Sequence, residues 1–341
     1  MNVLEKLQTN QIIILDGGTG TEIQRLGGEM STAWGAVANI KSPEVVIKVH
    51  ENHINAGCDI VTTNTFATCR HALESIGYED QTEHINRLAV NLAKTAIKNS
   101  GKENEVLIAG SMTNFFPLLE NEYRADPRFV PDFKTEENNY KEMAKILSGS
   151  GVDIIILEML VDIEHSKILL NAALETGLPV WVGLSCCINK YNNIVVGRNF
   201  GVEKNETLIY DKKKIFETPR LLPEDKIIPL KDIIISLTSI GGDVFGIMHS
   251  WIEDTKVGLK VLKKHWSGPI MAYPEIVLFD ASTGGGLNIC SEEEFAESCF
   301  HLIDSKINII GGCCGVSHNY LKEMINRIHS KRNLDSSNLK L

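Results

Sequence analysis

Eight short, nearly continuous apolar runs recur along this chain, each followed by a longer stretch of helical periodicity. The runs are "IIILDGG" (12–18), "DIVTTNTF" (59–66), "EVLIAGS" (105–111), "VDIIILEM" (152–159), "PVWVGLSC" (179–186), "VFGIMHS" (244–250), "PIMAYPE" (269–275) and "INIIGGCCG" (307–315). Apolar runs that do not alternate with polar residues read as parallel strands buried on both faces. The stretches between them, at 42–57, 83–101, 136–150, 162–177, 227–241, 252–266, 291–305 and 317–331, read as helices. The first, "SPEVVIKVHENHINAG", carries a serine cap, proline at the first helical position and a glycine stop.

Eight strand–helix units in series, with no break in composition, predict a single (β/α)8 TIM barrel spanning 1–341 as one domain. A doubly wound open sheet is the competing fold, and the count of eight favours closure. That barrel typically needs about 250 residues. The 341 present leave room for long insertions after strands five (188–226) and seven (276–290).

The net charge of −10, from 34 basic and 44 acidic residues, argues against a nucleic-acid surface. The nearest basic cluster, "DKKK" at 211–214, reads as a solvated loop. The start "MNVLEKLQTNQ" has no secretory pattern, and no apolar run reaches the ~20 residues of a membrane helix. Eight cysteines in such a chain read as reduced thiols or ligands, and the expected compartment is cytoplasmic. The sequence leaves the oligomeric state open.

Active-site groups of a (β/α)8 barrel come from the C-terminal ends of its strands. Here those ends are polar or soft. Strand one ends in Asp16, strand two in Thr62, Thr63, Asn64 and Thr65, and strand four in Glu158. Strand five ends in Cys186 and Cys187, strand six in His249, strand seven in Tyr273 and Glu275, and strand eight in Cys313 and Cys314. Adjacent cysteines on a regular strand point to opposite faces. The glycines flanking Cys313 and Cys314 free the backbone to turn both sulfurs to one point.

With His249, this pair offers three ligands from strands six and eight, close neighbours across one strand, a set that suits zinc and leaves a fourth position open. Cys186 and Cys187 read as core packing. A carboxylate ending an apolar strand is costly to bury without a partner. Glu158 and Asp16 therefore suit the ammonium of an amino-acid substrate, and the amides after Asp16, starting at Gly17, suit its carboxylate. Thr63 adds a hydroxyl to that rim. Trp34, Phe66, Tyr123 and Tyr273 are aromatic faces available to a cationic ligand.

Four stretches, "ILDGGTGTEIQRLG", "NAGCDIVTTNTF", "GSGVDIIILE" and "IIGGCCG", resemble the homocysteine S-methyltransferase family from about Ile13 to Ile328. That family includes betaine- and S-methylmethionine-dependent enzymes. The resemblance implies a zinc barrel that transfers a methyl group from a sulfonium or ammonium donor to homocysteine, giving methionine. It implies Cys313 and Cys314 as zinc ligands, and Asp16 and Glu158 as holders of the amino-acid part. The chain departs from the pattern in two places. Where characterised members end strand six with a ligand cysteine, it has His249 within "FGIMHS", which removes one negative charge from the site. The bound thiolate should then be a weaker nucleophile, favouring a sulfonium donor over a quaternary ammonium; Cys186 or Cys187 would be needed to restore a third thiolate. Where betaine-type relatives follow the glutamate with an aromatic residue, it has Met159. A zinc hydrolase with Glu158 or Glu275 as base, and a non-catalytic metal- or thiol-binding protein, are the competing functions.

Overall fold

Each apolar run becomes a parallel strand. In the computed structural model, which describes residues 11–119, 125–189, 192–197, 228–279, 286–303 and 307–338, the strands are β1 (Ile13–Ile14), β2 (Ile60–Thr62), β3 (Leu107–Thr113) and β4 (Ile154–Leu160). They continue as β5 (Val180–Leu184), β6 (Val244–Trp251), β7 (Ile270–Glu275) and β8 (Ile307–Ile310). Spatial neighbours follow chain order, and β8 returns to lie beside β1. A parallel bridge between Leu15 and Ile60 joins β1 to β2, so the sheet closes into the expected barrel.

Eight helices fill the crossovers: α1 (Pro43–Ala56), α2 (Thr82–Asn99), α3 (Phe133–Gly149) and α4 (Ile163–Leu174), then α5 (Leu230–Thr238), α6 (Ile252–His265), α7 (Glu292–Leu302) and α8 (His318–Asn338). Local signals set their ends. Asp132 accepts the Lys134 and Thr135 amides ahead of α3, and Ser291 and Glu294 form a reciprocal capping box on α7. Proline opens α1, and Gly57, at φ 109°, ends it in a left-handed conformation that costs glycine nothing. Ser42 departs from expectation: its hydroxyl caps no helix amide and instead accepts the Glu29 N–H at 3.3 Å.

Alternation along the strands divides two cores. Ile60, Ile154, Ile156, Trp181, Val244, Met271 and Ile309 fill the barrel interior. Their neighbours Val61, Ile155, Val182, Phe245 and Ile310 face the helices. At the N-terminal end one device recurs. Asp59, Asp153 and Asp243 each accept, from just before an even-numbered strand, an amide of the preceding strand: Ile14, Ile108 and Val180, each within 2.9 Å. Three buried-edge donors are satisfied this way, which pins the register of three strand pairs.

The insertion at 188–226 continues a hairpin made by Cys186–Ile188 and Ile194–Val196, and most of it, including "DKKK", lies outside the described residues. The second insertion carries a hairpin of Val277–Phe279 against Gly286–Asn288. Among the described residues no helix is long and apolar enough to cross a membrane.

Candidate active site at the C-terminal rim

The loop after β8 answers the question posed by adjacent cysteines. The strand stops at Ile310, two glycines follow, and both sulfurs then sit on one side, 3.8 Å apart. This loop is laced to the one after β1. Gly312 donates to Asp16 O at 3.2 Å, Gly18 to Val316 O at 2.9 Å, and Gly315 to Thr21 Oγ1 at 3.1 Å. A Cβ on Gly18 would stand 2.6 Å from Cys313 O, so only glycine allows this approach.

His249 reaches the cysteines against its strand's own pattern. Phe245 and Ile247 face the helices, and simple alternation would send His249 after them. Instead the β6–β7 register shifts between Met248 and Trp251, and His249 takes φ 46°. A non-glycine residue held there costs on the order of 1–3 kcal/mol, a strain that marks a functional position. The result is a group of three: His249, Cys313 and Cys314 place ligand atoms within 4.8 Å of one another, with His249 Nδ1 3.6 Å from Cys314 Sγ. Met159, which follows Glu158 at a matching shift in β4, has φ 57°.

These residues open onto a cavity of about 180 Å³, lined chiefly by the Gly17–Thr21 loop, Thr62–Asn64, Glu158, Met159 and the aromatic rings of Trp34, Phe66, Phe115 and Tyr273. Glu158 accepts a hydrogen bond from Ser111 Oγ, and its Oε2 lies 3.7 Å from His249 Nε2. Phe66 stands at 5.8 Å from the imidazole and 5.4 Å from Phe115, centroid to centroid.

The structure thus brings Gly17, Thr63, Glu158, Trp34, Tyr273, His249, Cys313 and Cys314 around one cavity. Tyr123 lies outside the described residues. Asp16 is placed differently from its neighbours. It is fully buried beneath the cavity floor, accepting from Thr62 N at 2.6 Å, Thr62 Oγ1 at 3.0 Å and Tyr273 OH at 2.9 Å. Burial outweighs these bonds and, with nearby Glu158, pushes its carboxyl up to about 7. Burial and Asp16 together raise the Tyr273 phenol well above its usual range, so it stays a donor.

Cys186 and Cys187 belong to neither cavity nor ligand group. Cys186 packs outside the barrel with its sulfur 3.4 Å from Asp254 O, as a core residue. Phe115 and Leu118, which also line the cavity, escaped the sequence reading because they lie in the loop after β3, where no periodicity fixes direction.

A parallel eight-stranded barrel with a cavity at its C-terminal rim, lined by a buried glutamate and a cysteine–cysteine–histidine group that could hold a metal ion, is the arrangement of a barrel enzyme. A family model described as homocysteine S-methyltransferase matches residues 13–205 and 229–328. The chain belongs to that family and is a methyltransferase. A selenocysteine Se-methyltransferase of Brassica oleracea var. italica is 20% identical over 358 residues, covering 97% of this chain and 92% of that protein. Homocysteine S-methyltransferase 2 of Arabidopsis thaliana is 19% identical over 358 residues, covering 96% of each. The fold matches the metallated form of the homocysteine methyltransferase MmuM from Escherichia coli, with TM-score 0.69 and 16% identity across 96% of this chain and all of that one.

Proposed function

We propose that the chain is a single-domain, zinc-dependent S-methyltransferase that moves a methyl group from a sulfonium or ammonium donor to a thiol acceptor, homocysteine, giving methionine. The spacing of the ligand atoms carries this reading. A tetrahedral zinc with Zn–S of ~2.3 Å and Zn–N of ~2.0–2.1 Å requires sulfur–sulfur and sulfur–nitrogen separations of about 3.8 and 3.6 Å. Two of the three separations stand at 3.8 and 3.6 Å, and the third, between Cys313 and His249, lies within 4.8 Å. Bound there, zinc would deprotonate the acceptor's thiol at neutral pH and hold it as a thiolate.

The chain's own residues supply the rest. Glu158, fixed by Ser111, receives the substrate ammonium, and the amides from Gly17 onward, with the Thr63 hydroxyl, receive its carboxylate. Asp16 sets Thr62 and Tyr273 from below rather than touching the substrate directly. Trp34, Phe66, Phe115 and Tyr273 give the positive donor aromatic faces and keep water away. As the new carbon–sulfur bond forms, the donor's bond to the methyl breaks. Its electron pair stays with the leaving group, which departs neutral.

Metal analysis joined to a homocysteine methylation assay tests the proposal; a protein without zinc, or one that turns over no methylated cation, overturns it. A second expectation concerns anchoring. A hydrogen bond between charged groups contributes roughly 1.5–3 kcal/mol, so Glu158→Gln should weaken homocysteine binding about ten- to a hundredfold while zinc content stays near one per chain. Unchanged homocysteine affinity by calorimetry would remove Glu158 from the ammonium site.

A further inference from the structure

β7 ends in Glu275, a carboxylate with no exposed surface that is absent from the cavity wall. Two backbone hydrogen bonds fix it beside the cysteines. Cys313 N–H donates to Pro274 O at 2.8 Å, and Ile276 N–H donates to Cys314 O at 3.0 Å. The residue before Glu275 and the residue after it are thus tied to one cysteine each. The shifted register pairs Glu275 with Trp251, and Glu275 Oε2 lies 3.9 Å from His249 Nδ1. Burying a carboxylate is costly unless positive charge stands near. The strain at His249 and the burial of Glu275 therefore converge on one pair of side chains.

We infer that Glu275 is a positioning residue that supplies, from outside the ligand set, the negative charge a neutral imidazole lacks. This rests on the zinc reading above. Zn2+ with two thiolates and a neutral histidine sums to zero; Glu275 brings the total to minus one, the charge a third thiolate in place of the imidazole would give. Glu158, 3.7 Å from His249 Nε2, does not serve this purpose once substrate is bound, because it lines the cavity and the substrate ammonium matches its charge. In an interior of low dielectric a charge so close acts strongly on the metal's electron demand. The bound thiolate regains nucleophilicity, so the preference for a sulfonium donor expected from the ligand set alone should show fully only when Glu275 is neutral.

The count predicts a reversal that a merely structural glutamate would not show. In the wild-type background, with homocysteine present so that Glu158 is matched, Glu275→Gln should weaken zinc binding, measured by chelator competition, about 10–100-fold. Glu275→Asp, which keeps the charge, should retain most of the affinity. In the His249→Cys background, where a third thiolate already supplies the charge, Glu275→Gln should leave zinc affinity unchanged or raise it. Equal losses in both backgrounds, no loss in the wild-type background, or a His249→Cys chain that takes up no zinc would each overturn this inference alone. A wild-type chain that binds no zinc overturns the proposed function with it.

Discussion

Cys313→Ser or Cys314→Ser will strip the metal and abolish methyl transfer while leaving the barrel folded. Both sulfurs sit in the loop beyond β8, outside the hydrogen bonds that close the sheet, so circular dichroism should not change. Losing an outer-shell partner typically costs 10–100-fold in metal affinity, and losing a ligand should cost more. His249→Ala should behave alike, and His249→Cys should keep the metal. Full zinc occupancy in either serine variant would show that the cysteine pair is not the metal site.

Acidification from pH 7 to pH 5 will destabilise the protein steeply. His50 and His53, three residues apart on the buried face of α1, have no hydrogen-bond partner at either ring nitrogen. Burial pulls them down to about 4 and about 3, and burial pulls His71 down to about 4. Each is depressed below the ordinary 6.5, so between about pH 4 and 6.5 the unfolded chain binds three protons that the folded chain refuses. Asp16, raised to about 7, works in the opposite direction and holds one proton in the folded state across that window. His165, held above its usual value by Glu136, is protonated in both states there. The net excess of two protons on the unfolded side gives a loss of about 3 kcal/mol per pH unit. Urea unfolding at pH 7, 6 and 5 measures it; a midpoint that is flat or rises on acidification contradicts the buried-neutral assignment.

The barrel was legible because burial on both strand faces writes itself into composition. Helix α1 falls at Pro43–Ala56 against an expected 42–57, and α6 at Ile252–His265 against 252–266. The rim inventory also named His249, Cys313 and Cys314, which the structure draws together. Directions beyond strand ends were less legible. Alternation alone points His249 away from the cavity, and only the shift after Met248 turns it inward. Asp16 ends its strand as Glu158 does, yet Thr62 and Tyr273 cover it, a screening set by two residues distant in sequence. Glu275 read as one more rim carboxylate because its backbone ties to the cysteine loop leave no mark in composition.

The lacing between the first and last rim loops has a consequence for how the molecule comes into being. Thr21 and Gly315, hydrogen-bonded to each other, stand 294 residues apart in the chain. A nascent polypeptide emerging from the ribosome can pair β1 through β7 before the cysteines have been synthesised. Contacts of such separation form late, since chain closure must precede them. The ligand triangle therefore cannot exist on a truncated or half-assembled chain, and the ion would be captured only after the ring of strands has shut. On the zinc reading proposed above, metal uptake would act as a receipt for completed folding.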